Sequence, residues 1–133
     1  MCLIVKQNWF RSLFRMNPKV RTAKKDIVVY KLLAEDRVHD KLASYYYTNF
    51  YWNIGKVYSS PLVVEKDKHY CFVEKGFHSF LSKPSHDHIL FHFPPLHPFF
   101  QALYKAIIPK GSKYIIGEKD EIVSDHLKIV ERC

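Results

Sequence analysis

Ile27-Val28-Val29-Tyr30-Lys31-Leu32-Leu33 is an unbroken run of β-branched, aromatic and aliphatic residues with a single cation inside it, entered from the charged Lys24-Lys25-Asp26. Its length and β-branched character predict a buried strand. The same kind of run recurs downstream as Leu62-Val63-Val64, His69-Tyr70-Cys71-Phe72-Val73-Glu74, residues 101–108, residues 113–116 and Leu127-Lys128-Ile129-Val130-Glu131. Between these runs stand turn residues: Lys75-Gly76, Pro109-Lys110-Gly111-Ser112 and Gly117-Glu118-Lys119-Asp120. Residues 34–44 are polar and read as a connection with room for one helical turn. Residues 82–100 hold Pro84, Pro94, Pro95 and Pro98, which forbid a regular central strand there. Short strands divided by turn signals, with no βαβ alternation, predict an α+β fold dominated by antiparallel β-sheet, a curled sheet or partly open barrel.

The helical part of that expectation is at the N-terminus. Residues 3–16 place Val5, Trp9, Leu13 and Met16 at helical spacing, with Phe10 and Phe14 widening the face, and Asn17-Pro18 ends the pattern. This amphipathic helix belongs to a basic arm. Residues 1–25 carry seven Lys or Arg and no acid, whereas the remainder is nearly balanced within a net charge of +8. The chain therefore divides into an arm, 1–25, and one globular domain, 26–133, predicted to fold without it. The arm is expected to pack on the body, to meet a membrane surface or an anionic partner, or to serve as a targeting peptide or a nucleic-acid arm.

Three cysteines, Cys2, Cys71 and Cys133, have neither disulfide-framework nor metal spacing, which fits a reducing cytoplasm. No apolar run nears the ~20 residues of a membrane span, and no secretory leader pattern is present. The reading is a soluble cytoplasmic protein without a transmembrane segment.

Two constellations could carry chemistry. Six of the eight positions from Tyr45 to Trp52 are aromatic, followed by Asn53-Ile54-Gly55-Lys56-Val57-Tyr58. One strand face cannot bury them all, so Tyr47, Tyr51 and Trp52, with the cation Lys56 and the imidazole His78, are the candidate ligand-binding residues. Coverage of both faces by other elements is the competing reading. The second constellation is His86-x-His88-x3-His92-x4-His97, whose spacing could converge on a metal ion; the interrupting prolines argue against a rigid site, and no metal or cofactor is predicted. No phosphate-binding loop or catalytic signature is present, and Cys71 among Tyr70, Phe72 and Val73 reads as an inert thiol.

Lys25-Asp26-Ile27-Val28-Val29-Tyr30-Lys31, Asn53-Ile54-Gly55-Lys56-Val57-Tyr58, Gly76-Phe77-His78-Ser79-Phe80, Ile107-Ile108-Pro109-Lys110-Gly111-Ser112-Lys113-Tyr114 and Ser124-Asp125-His126-Leu127-Lys128-Ile129-Val130-Glu131, after a Met1-Cys2-Leu3 start, together resemble small uncharacterised proteins of gut Bacteroidales and their phages. The resemblance implies a bacterial or phage cytosolic protein and brings no activity with it. The strand candidate starting Gly76-Phe77 is similar in pattern to ADP-ribosyltransferase-like folds, but the arginine, Ser-Thr-Ser and glutamate series of those enzymes is missing. The functional expectation is a non-enzymatic binding protein, a phage or mobile-element accessory factor acting on a host protein or a nucleotide-like anion. A nucleotide-dependent transferase and a nucleic-acid module working through the arm are the alternatives.

Overall fold

A computed structural model describes residues 3–4, 19–44, 50–66, 71–85, 100–117 and 120–133. Thirteen strands follow in chain order: β1 (Leu3–Ile4), β2 (Arg21–Thr22), β3 (Ile27–Asp36), β4 (Lys41–Ser44), β5 (Tyr51–Trp52), β6 (Val57–Ser59), β7 (Val63–Lys66), β8 (Cys71–Lys75), β9 (Phe77–Phe80), β10 (Phe100–Ile108), β11 (Lys113–Ile116), β12 (Glu121–Ser124) and β13 (His126–Arg132). Every pairing is antiparallel, and no helix occurs among the described residues. The expected α+β class is thus corrected to an all-β fold with an open sheet. Leu3–Ile4, expected to open a helix, form a strand against Val73 and Phe72 of β8; the rest of that helix expectation lies outside the described residues. The polar connection of 34–44 is also a hairpin, because β3 runs on to Asp36 and β4 returns from Lys41. Asp36 closes the turn by accepting from the backbone N–H of His39 at 3.1 Å and from its Nδ1 at 2.7 Å, and Asp40 takes a φ of +52°.

The large sheet has the order β2-β11-β12-β9-β3-β10-β13-β6, with β4 and then β5 branching from β3. Its spine is the β3/β10 ladder, in register from Ile27 opposite Ile108 to Glu35 opposite Phe100. Strand alternation sends Val29 and Leu33 of β3, and Ala102, Tyr104, Ala106 and Ile108 of β10, into one core, joined by Leu127 and Ile129 of β13, Ile122 of β12 and Trp52 of β5. Each fully buried aliphatic contributes about 1.5–3 kcal/mol relative to exposure. The smaller sheet, β1-β8-β7, lays Val73 and Val64 against Ile115 and Val123 on the opposite face of the large sheet. The chain passes from one sheet to the other at Gly76, whose φ of +136° and close approach to Val123 and Leu62 leave no room for a side chain.

Two pieces of the 1–25 segment are paired with the remainder. One is β1; the other is β2 on β11, extended by Ala23, which donates to Ser112 O and accepts from Gly111 N, each at 2.8 Å.

β12 and β13 are separated by one residue, Asp125, yet three strands lie between them in the sheet. The sheet must therefore roll, so that its two ends come near each other at Asp125. There the backbone N–H of Asp125 donates to Lys113 O at the start of β11, and its carbonyl accepts from Ser60 N just past β6. The outermost strands, β2 and β6, do not pair with each other, and the roll stays open along a seam.

Candidate functional site

The aromatic region divides at β5. Ala43 pairs with Tyr51 and Leu42 with Trp52, so alternation sends these neighbours to opposite faces. Trp52 is 4% exposed, with its indole N–H donating to Ser44 Oγ at 2.8 Å and its ring edge-on to Phe50, Tyr58 and Phe77 at 4.9–5.2 Å for Tyr58, Phe50 and Phe77. It is a core residue with a satisfied polar tip. Tyr51 faces outward, and the Lys41 ammonium lies 4.5 Å from its ring centroid. Lys56, on the turn between β5 and β6, covers Tyr58 in the same manner at 5.0 Å. Tyr47 lies outside the described residues, as does the histidine run 86–97.

His78 joins none of these rings. It stands opposite Val123 on β9, on the face away from its neighbour Phe77, which touches Trp52. Burial first, then the nearby Lys31 charge, push its imidazole down to about 4, so it is neutral at physiological pH. Its backbone carbonyl does reach the core, accepting from Lys31 Nζ at 2.6 Å, while Lys31 also sits 5.7 Å from the Trp52 centroid. Desolvation pushes the Lys31 amine down to about 8. Lys31 is thus the link between two of the expected site residues, and it was legible only as the lone cation within an apolar strand.

What remains exposed falls within residues 50–57, with Phe50 on the Trp52 side, edge-on to Tyr58 at 5.6 Å as well, and Tyr51 on the opposite side. Phe50 (38%), Tyr51 (42%), Ile54 (58%) and Val57 (47%) are four of the seven exposed large apolar side chains among the described residues, which concentrates them on this one segment. Lys41 and Lys56 flank it, neither with an ion-pair partner among the described residues. β6 ends the sheet and β5 pairs with β4 alone, so backbone groups along both outer edges have no ladder partner among the described residues.

A concavity of about 640 Å3 lies in the seam. Its polar lining is Ser59, Ser60, Lys113, Asp125 and His126, and its apolar lining Val20, Pro61 and Leu62. Asp125 Oδ1 accepts from the Lys113 backbone N–H at 2.9 Å and bonds His126 Nδ1 at 2.7 Å, which fixes the imidazole plane. Sequence reasoning passed over this site, because its parts come from four separated segments. The one local signal was an Asp-His pair set between two strand runs.

No family model, curated protein or solved structure matches the chain. Among the described residues no helix is long and apolar enough to cross a membrane, and no three potential ligands group as a metal site.

Proposed function

We propose that this chain is a non-enzymatic binding protein, a phage or mobile-element accessory factor of the bacterial cytosol, and that residues 50–57 dock an acidic, partly apolar segment of a host protein. The observation that carries the reading is the concentration of exposed Phe50, Tyr51, Ile54 and Val57, with Lys41 and Lys56, along the segment that contains β5 and the start of β6, whose outer edges have no ladder partner among the described residues. Aromatic and aliphatic anchors supply contact area, the lysines select carboxylates and speed encounter, and a free edge accepts an added strand. A protein partner suits this surface better than a nucleotide base. The Tyr51 and Tyr58 rings each already carry a lysine, which a stacking base would have to displace, whereas carboxylates meet those lysines in place.

The test is native mass spectrometry and cross-linking of the untagged protein recovered from gut Bacteroidales lysate, beside a Lys41→Glu, Lys56→Glu double variant. The expected result is one host protein cross-linked within residues 50–57, lost from the double variant while its melting temperature is unchanged. Retention of that partner by the variant contradicts the reading. A stoichiometric nucleotide in place of a protein would transfer the function to a nucleotide-like anion.

A further inference from the structure

The seam at Asp125 has the make-up of a second, separate site. A rolled sheet that fails to close leaves a gap between the strands at its two ends, and here β6 and β11 approach within reach of one residue without pairing. The gap is about 640 Å3, within the usual span of small-molecule sites.

The chemistry around it is sorted. One oxygen of the Asp125 carboxylate is engaged, because Oδ1 already takes the Lys113 backbone N–H and the His126 ring nitrogen. An ionised carboxylate only accepts, so His126 Nδ1 is the donor, and Nε2, on an imidazole 43% exposed, is an acceptor wherever the ring is neutral. The Asp125 bonds to Lys113 run through its backbone alone, N–H and C=O. The Lys113 ammonium is exposed and has no ion pair among the described residues.

Ser59 stands directly opposite His126 in the β6/β13 register, so both side chains lie on the same face. Its hydroxyl has no partner among the described residues, and the neighbouring Ser60 hydroxyl spends its proton on the adjacent Pro61 carbonyl at 3.3 Å. Val20, Pro61 and Leu62 supply the apolar part of the lining, and Val20 is half exposed although apolar.

An exposed cation and an unpartnered hydroxyl, with an oriented imidazole and three apolar side chains lining the same gap, match a molecule that has anionic oxygens at one end and a hydrocarbon or ring at the other. We propose that the seam binds a small organic anion of this kind, with Lys113 and Ser59 holding its carboxylate or phosphate oxygens beside the His126 ring, and Val20, Pro61 and Leu62 holding its apolar body. The proposal is independent of the surface at residues 50–57.

The experiment is an NMR titration of the full chain with benzoate, phenyl phosphate, inorganic phosphate and benzyl alcohol, following backbone amides and the carbon-bound ring protons of His126. Benzoate or phenyl phosphate is expected to bind saturably in the millimolar range or tighter, moving the Ser59, Ser60 and Lys113 amides and the His126 ring. Comparison of the two anions tells a carboxylate site from a phosphate site. Lys113→Gln keeps every backbone bond to Asp125 and is expected to weaken the anion about tenfold or more. Benzyl alcohol binding as tightly as the anions would overturn the anionic class, and inorganic phosphate binding as tightly as phenyl phosphate would overturn the apolar one. Absence of saturable shifts, or anion binding unchanged in Lys113→Gln, would remove the site.

Discussion

The Lys31 ammonium donates to the carbonyl oxygen of His78 at 2.6 Å, at the point where β9 parts from β3. The two strands pair only at Tyr30 and Phe80, and by Leu33 the same edge of β3 has been taken over by β4. Lys31 lies between Val29 and Leu33 on the core face and supplies, from a side chain, the donor that a continued ladder would have supplied from the backbone.

That arrangement has a pH signature. The Lys31 amine is pushed down from 10.5 to about 8 by burial, so between those values the unfolded chain binds the proton that the folded chain has lost. Stability therefore rises with pH across this window, and the cost of burying the cation is fully present below it. Chemical denaturation from pH 7 to 10.5 should show the native protein gaining up to ~3 kcal/mol relative to Lys31→Met over that range. Parallel pH profiles for the two proteins would refute the assignment.

Trp52→Ala and Tyr51→Ala should separate cleanly. Trp52 fills the main core and holds Ser44, so its truncation should cost about 3–5 kcal/mol. Tyr51 is a surface residue paired with Lys41, and its truncation should cost about 1 kcal/mol or less. Urea midpoints measure both; equal losses would mean that alternation at β5 does not separate a buried from an exposed ring.

Gly76→Ala should be among the most damaging small substitutions. Its φ of +136° is one that L side chains rarely adopt, and an added Cβ would overlap Val123 Cγ1 and lie 2.7 Å from Leu62 Cδ2. The strain and the displaced core should together cost on the order of 3 kcal/mol or more. A melting temperature within a degree or two of the native value would show that the sheet-to-sheet corner is not tight.

Much of the strand framework is legible because its signals are local. β3, β11 and β13 are apolar runs, and the turn before β11 has Gly111 at a φ of +89° after Pro109. β2 could not be read in this way: Arg21 and Thr22 are both exposed, and only pairing with β11 makes them a strand. β4 is half polar, and its strand follows from the turn that Asp36 closes. Burial alone would raise the Asp36 carboxyl, but hydrogen bonds from the His39 ring and backbone, with the charge of that ring, hold it below its ordinary range. The excess of aromatics in residues 45–58 correctly implied that some must be exposed, as Phe50 and Tyr51 are. Which ones was not legible, since that depends on the register of β5 against β4. Apart from its Asp-His pair, the Asp125 seam was hidden, because proximity of β6 to β11 arises from the roll of the whole sheet.

Asp125→Ala should loosen that roll. It removes the acceptor of the Lys113 N–H and of His126 Nδ1 while leaving the backbone bonds of residue 125 intact. A loss of about 1–3 kcal/mol is expected, with faster hydrogen exchange at the Lys113 amide. Unchanged protection of that amide would show that the side chain does not hold the seam.

The central claim, that residues 50–57 are a docking surface, is tested most directly by a photo-cross-linking amino acid placed at Tyr51 and, as a control, at Val28, which is equally exposed but on β3. In host lysate the probe at position 51 should capture one discrete protein, competed by unlabelled native protein and not by the Lys41→Glu, Lys56→Glu variant, while position 28 captures none. Equal capture at both positions, or competition by the charge-reversed variant, would contradict the account.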